Sequence, residues 1–375
     1  MRVLVTHATT MLGAGLVQEL LDEPGIDHVL AIGPQACAVN LPAAEPRLSY
    51  LTAELTDPDS SHDLLVGPAR ELGIDAIVHG PLLADTAVDG ARAHSLNVDS
   101  TRKLLVECEN QANVHLFVYH SVGDVYAFRL ARAGAIGEDQ PLESDPASPR
   151  WVLDCAAADR AVCSRIGASR LRIVVLRCAE VLAPGIGSQL WDYLQSRVCF
   201  RPLGCDPLVN VLSPHDYVQA VLRALTRPTC GVYNIPGADT LPLSRVVRRF
   251  GRAGIEVPRS LLSPLFQWQA HKIGKGFRHD LDMRRFQVGR VLDGSRARAE
   301  LGYEPRSSVA QLVEAGQLAT PATSAPGRRP RASSAAPTAA HFLDETVWPG
   351  DSTPGWDSVD EAGWESFPAS DPPGW

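Results

Sequence analysis

Short apolar runs rich in Val, Ile and Leu alternate along this chain with segments of helical periodicity, and no other feature constrains the fold as much. Val3-Leu4-Val5, Val29-Leu30-Ala31-Ile32, Ala76-Ile77-Val78 and Ile173-Val174-Val175-Leu176 are apolar on successive residues, so both sides of each strand need covering. A parallel sheet with crossover helices on both faces provides that cover. The expected fold class is therefore α/β, a doubly wound parallel sheet, with enough chain for one large core and one small one.

The first unit carries the most specific pattern. The strand Met1–Val5 passes through the loop Thr6-His7-Ala8-Thr9-Thr10-Met11-Leu12-Gly13 into an amphipathic helix, Leu16-Val17-Gln18-Glu19-Leu20-Leu21. A dinucleotide-binding strand–turn–helix opens in this way. The loop resembles the T-G-x-x-G-x-x-G loop of extended short-chain dehydrogenases, the NAD-dependent epimerase/dehydratase family. Of the three glycines only Gly13 is present, and His7 and Thr10 stand at the other two positions.

Further segments follow the family in order. Gly33 ends the second strand, where the family places an acid for the adenosine ribose. Glu54, in Leu51–Asp57, stands for the aspartate of "G-D-L-T-D". His79 ends the fourth strand, and Asn97 opens a segment similar to "N-V-x-G-T". Val118–Tyr126 resembles the fifth strand with its "S-[ST]-x-x-V-Y-G" motif. Ile173–Arg177, Pro202-Leu203-Gly204, His215-Asp216, Gly231–Ile235 and Leu301–Pro305 continue the series. The resemblance implies a Rossmann-like domain over 1–182 to which 209–235 return, and a smaller substrate-type domain made mostly of 183–316. It also implies NAD or NADP as cofactor, held by His7, Thr10, Met11, Leu12, Gly13, Gly33, Glu54, His79 and Asn97, with a nucleotide sugar or other small molecule as substrate. A homodimer is compatible with it.

Family chemistry uses a Tyr-x-x-x-Lys pair on one helix and a Ser or Thr at the end of the fifth strand. Tyrosine trades a proton with a substrate hydroxyl, lysine lowers the tyrosine pKa, and the hydroxyl positions the substrate. Aligned on Pro149 and Asp159, Trp151 falls on the tyrosine and Cys155 on the lysine. Val122 falls on the Ser/Thr, with Ser121 as the neighbouring hydroxyl. Indole, thiol and isopropyl groups cannot do that work. The pair has not moved elsewhere, because Asp99, Trp268 and His271 precede Lys103, Lys272 and Lys275 by four residues. Two function classes stay open: an epimerase/dehydratase-like enzyme with degenerate motifs, and a catalytically silent binding or scaffold protein.

Composition narrows the rest. Eight cysteines without C-x-x-C spacing read as reduced thiols rather than zinc ligands, so no metal is expected. No 18-residue apolar run and no secretory leader pattern are present, and a cytoplasmic protein is expected. No basic stripe suggests nucleic acid. The formal charge of −8 is concentrated at the C-terminal end: residues 341–375 carry eight acids and no Lys or Arg. From 317 the chain is rich in Pro, Ala, Ser and Thr, a composition that cannot bury a core. Trp348, Trp356, Trp364 and Trp375 then recur among the acids, which points to a protein partner for 341–375.

Overall fold

A computed structural model describes residues 1–314 apart from 35–40, 43–44, 58, 81–89, 128–133, 184–187 and 274–288. The expected disordered tail from 317, with the partner site at 341–375, lies outside the described residues, as do Cys37 and the loop residues Gly185 and Gly187.

Seven strands form one sheet: β1 (Arg2–Val5), β2 (His28–Gly33), β3 (Leu48–Thr52), β4 (Ala76–His79), β5 (Leu116–Val122), β6 (Arg172–Cys178) and β10 (Gly231–Ile235). Their order is β10-β6-β5-β4-β1-β2-β3, and every pair is parallel. Successive residues feed opposite cores, as the two-sided apolar runs require. Val3 and Val5 pack under the helices α1 (Met11–Asp22) and α8 (Pro214–Thr226). Leu4 packs on the other face with α2 (Ser60–Val66), α3 (Pro68–Glu71), α5 (Ser100–Asn110) and α6 (Arg150–Cys163). In β5 Val118 goes to the first face and Phe117 and Tyr119 to the second. Between β4 and β5 the helix α4 (Gly90–His94) runs into a π-turn, Ser95–Asp99, before α5 begins. The sheet reverses its winding between β1 and β4, so a crevice opens at their C-terminal ends.

The remaining strands make two small sheets. β7 (Glu180–Val181) and β11 (Asp239–Pro242) flank β9 (Leu208–Leu212), while β8 (Val198–Pro202) pairs in parallel with β12 (Ala253–Val257). With α7 (Gln189–Gln195), α9 (Leu243–Arg249), α10 (Arg259–Ile273) and α11 (Val309–Glu314) they enclose a third core around Leu194, Val246, Leu262 and Phe266. The return to the large sheet is made by α8 and β10, and β9 stays with the small sheets.

Candidate functional site at the sheet crevice

The structure brings Val122, Trp151 and Cys155 together, because β5 ends beside the first turns of α6. Trp151 and Cys155 are one helical turn apart and share a face. With Val125, Val152 and Ala156 they form a closed apolar cluster against which Val122 and Leu142 pack. Burial, reinforced by the carboxylates of Asp154 and Asp159, pushes the Cys155 thiol up to about 12. It is therefore a neutral thiol at physiological pH, neither a cation nor a nucleophile. The Trp151 indole N–H is buried without an acceptor.

Ser121 meets α6 one turn beyond Cys155. Its hydroxyl donates to Asp159 Oδ2 at 2.6 Å, and both residues are buried. Asp159 in turn holds Arg177 through two bonds of 3.0 and 2.7 Å. Arg177 donates to the Tyr126 hydroxyl at 3.0 Å, and that hydroxyl donates to Asn234 Oδ1 at 2.6 Å. The chain Ser121–Asp159–Arg177–Tyr126–Asn234 ties α6 to β5, β6 and β10. A buried carboxylate and guanidinium are tolerated because each is paired in both directions. Ser121 is thus committed to the scaffold.

The loop residues also have protein partners. Thr10 is the N-cap of α1: its hydroxyl accepts from Gly13 N at 3.0 Å and donates to His7 O at 2.8 Å. A Cβ at Gly13 would overlap the His7 carbonyl oxygen, so the third glycine serves close packing of helix on strand. A Cβ at Gly33 would overlap Thr9 Cγ2 and lie 2.8 Å from its Oγ1, so Thr9 lies over the end of β2 where the family's acid would project. His7 is buried; its Nε2 meets the Tyr217 hydroxyl of α8 at 3.2 Å, and its Nδ1 has no partner. His120 packs at a tilt against the same tyrosine, with ring centroids 4.5 Å apart. His79 spends both ring nitrogens, on Thr6 and Thr101, each at 2.8 Å. Burial lowers His7 to about 4 and His79 and His120 to about 3, so all three imidazoles are neutral.

Glu54 binds Thr56 and Arg92, and Asn97 is buried on the π-turn with its side-chain oxygen unpaired. Arg47 donates to the carbonyls of Leu21 and Ile26. Arg201 pairs with Glu256. Thr9 and Tyr217 were not found by sequence reasoning. Tyr217 lies 210 positions from its partner His7, and no local pattern announces such a contact. Among the described residues no group of three His, Cys, Asp or Glu could hold a metal ion.

A parallel sheet with this winding, an α1 start beneath its crevice and the α6 helix beside β5 define a Rossmann-type α/β protein of the short-chain dehydrogenase kind. The chain belongs to the NAD dependent epimerase/dehydratase family, whose sequence profile matches residues 3–235. Uncharacterized protein Rv0501 of Mycobacterium tuberculosis (strain ATCC 25618 / H37Rv) is 26% identical over 321 residues, 83% of this chain and 82% of that protein. Among solved structures, UDP-glucuronic acid 4-epimerase from Bacillus cereus in complex with NAD superposes with a TM-score of 0.63 at 19% identity, covering 85% of this chain and all of that one. The dTDP-glucose 4,6-dehydratase DesIV from Streptomyces venezuelae gives 0.62 at 22% identity, covering 84% and 98%. At these identities the likeness is one of fold.

Proposed function

We propose that this protein binds a nucleotide ligand in the crevice between β1 and β4 and does not run the tyrosine–lysine hydride chemistry of its family. The observation that carries this reading is the apolar cluster of Val122, Trp151 and Cys155, where a proton-transferring group would have to stand. NAD or NADP is the first ligand to expect, as the family and its NAD-bound structural neighbours suggest. The first-turn amides of α1 lack acceptors within the helix, and those of Met11 and Leu12 would hold a pyrophosphate there. Thr10 has already taken the Gly13 amide, and Gly33 offers the adenosine ribose no carboxylate. The residues present therefore fit the pyrophosphate end of a dinucleotide and give its ribose less than the family does.

When bound, a nicotinamide supplies a hydride acceptor. Val122, Trp151 and Cys155 exclude water and fill space, and none of the three can take a proton from a sugar hydroxyl. A nucleotide sugar would enter from the side of the small sheets; the UDP-glucuronic acid 4-epimerase from Bacillus cereus has been solved with UDP-glucuronic acid and NAD. Titration calorimetry with NAD⁺, NADH, NADP⁺ and NADPH, with and without UDP-glucose, tests the binding half. Hydride exchange or C4 epimerisation of UDP-glucose at ordinary enzyme rates, about 1–10³ s⁻¹, would refute the catalytic half.

A further inference from the structure

The tips of β1, β4 and β5 bring two imidazoles to one point of the crevice. A Cβ at Gly80, the residue that follows β4, would lie 3.3 Å from His120 Nδ1 and 3.5 Å from His7 Cε1. The centroids of the two rings are 6.3 Å apart. His7 is only 4% exposed, and its Nδ1, bonded to the carbon that faces Gly80, has no hydrogen-bond partner. Its Nε2 meets the Tyr217 hydroxyl. If the phenol donates there, Nδ1 carries a hydrogen without an acceptor; if Nε2 donates, Nδ1 is an acceptor without a donor. A buried polar atom left in either state is costly, and a ligand oxygen beside Gly80 would relieve it once Nδ1 bears a hydrogen.

No other group in this loop titrates. Besides His7, residues 6–15 are Thr, Ala, Met, Leu and Gly, so the first turn of α1 offers an anion its amides and no side-chain cation. Of the ionisable neighbours, His79 at the end of β4, Tyr217 of α8 and Cys178 of β6 are kept neutral by burial. Asp216, next to Tyr217, is taken by the amides of Arg306 and Ser307, and His215 is exposed. Burial also keeps the two rings neutral in the free protein, His7 at about 4 and His120 at about 3. A diphosphate reverses that balance, because its negative charges in a water-poor crevice favour the imidazolium. An imidazolium has a hydrogen on both nitrogens, which gives His7 one for the Tyr217 oxygen and one for a phosphate oxygen. Charge on His7 lowers His120 further, so the pair shares a single proton.

Resting on the crevice reading above, we propose that His7 and His120 form a diphosphate subsite that takes up a proton as the nucleotide binds, so that binding tightens as pH falls. The test is titration calorimetry of the full chain with NAD⁺ and with UDP-glucose, at about pH 8 and about pH 5, in buffers of different ionisation heat that count the proton. Neither probe has a phosphate that titrates in that range, and the two arms tell a dinucleotide diphosphate from that of a sugar nucleotide. An imidazole returned in the complex from about 4 to its ordinary value of about 6.5 gives roughly thirtyfold tighter binding at the lower pH. Proton uptake with at least one probe should accompany it. His7→Gln with His120→Gln should abolish both the uptake and the pH dependence, and melts at each pH show whether that variant is folded. Should it not fold, the histidine Cε1–H resonances of the wild type decide: one that is flat between those pH values in the free protein should titrate in the complex. Binding of equal strength at both pH values, a spectrum in which no such resonance titrates, or uptake that survives in the folded variant overturns the inference and leaves the crevice reading standing. Absence of binding of both probes at both pH values overturns the two together.

Discussion

Replacing Gly13 by Ala should unfold much of this protein's stability, whereas replacing Gly15, two positions along the same helix, should add to it. At Gly13 the new methyl would overlap the His7 carbonyl oxygen and lie 2.5 Å from His7 C and 2.8 Å from Ala8 Cα. All three atoms are backbone, so no side chain can swing aside. The start of α1 would have to lift from β1, loosening the packing of Leu12, Leu16, Val17 and Leu20. A lift of 0.5–1 Å forfeits roughly a quarter to a half of each lost contact. Added to the overpacking cost, that gives about 3 kcal/mol or more. At Gly15 a Cβ meets nothing within 4 Å, and Ala in a helix gains about 0.5–1 kcal/mol over Gly. The gap between the two variants is thus about 4 kcal/mol, which urea denaturation would show as midpoints separated by about 1.5 M. Equal midpoints for the two variants would refute the packing argument. So would a Gly13→Ala protein of wild-type stability that had merely lost affinity for a dinucleotide, since that would make the glycine a ligand contact.

Three further outcomes are expected, two from this geometry and one from the sequence of the tail. Val122→Thr with Trp151→Tyr and Cys155→Lys should give no hydride exchange, and the lysine alone should cost about 3 kcal/mol or more by placing an ammonium among Val125, Val152 and Ala156; denaturation and a nicotinamide absorbance assay check this. His7, His79 and His120 have folded pKa values of about 4, 3 and 3, below an unfolded 6.5, so they favour folding fully above pH 6.5. That contribution is lost as pH falls from 6.5 toward 4, at up to about 1.4 kcal/mol per pH unit for each histidine, and His120→Gln should flatten the decline measured by urea midpoints. A tail of residues 341–375 used as bait should retain a partner that its version with Ala at 348, 356, 364 and 375 does not; equal recovery would leave the tail a solvated appendage.

The sheet and the order of its units were legible because they are written locally. Val3-Leu4-Val5 is apolar on both sides, and only burial on two faces explains that. The loss of catalytic groups was legible too, since Tyr-x-x-x-Lys is either present or absent. What replaced those groups was not. That Val122, Trp151 and Cys155 close into one cluster depends on β5 ending beside α6, a contact between separate segments. The role of Thr10 was not legible either: it stands at a family glycine position among the residues implied to hold the cofactor, and its hydroxyl turns back to cap the helix. Ser121 reads only as a hydroxyl beside the family's Ser/Thr position until Asp159, 38 residues later, is seen to accept its hydrogen bond.

The polar chain from Ser121 to Asn234 bears on how the protein is made. Its partners leave the ribosome far apart in time: Tyr126 is synthesised 108 residues before Asn234, which accepts its hydrogen bond. Asp159 meets Arg177 only 18 residues after its own synthesis, so the α6–β6 clasp can form early on the nascent chain. The Tyr126 hydroxyl must then wait, beneath a sheet whose last strand, β10, has yet to arrive. Nascent chains stalled before residue 230 should therefore expose the β6 edge and depend on chaperones, while those stalled beyond 240, with room to clear the exit tunnel, should not.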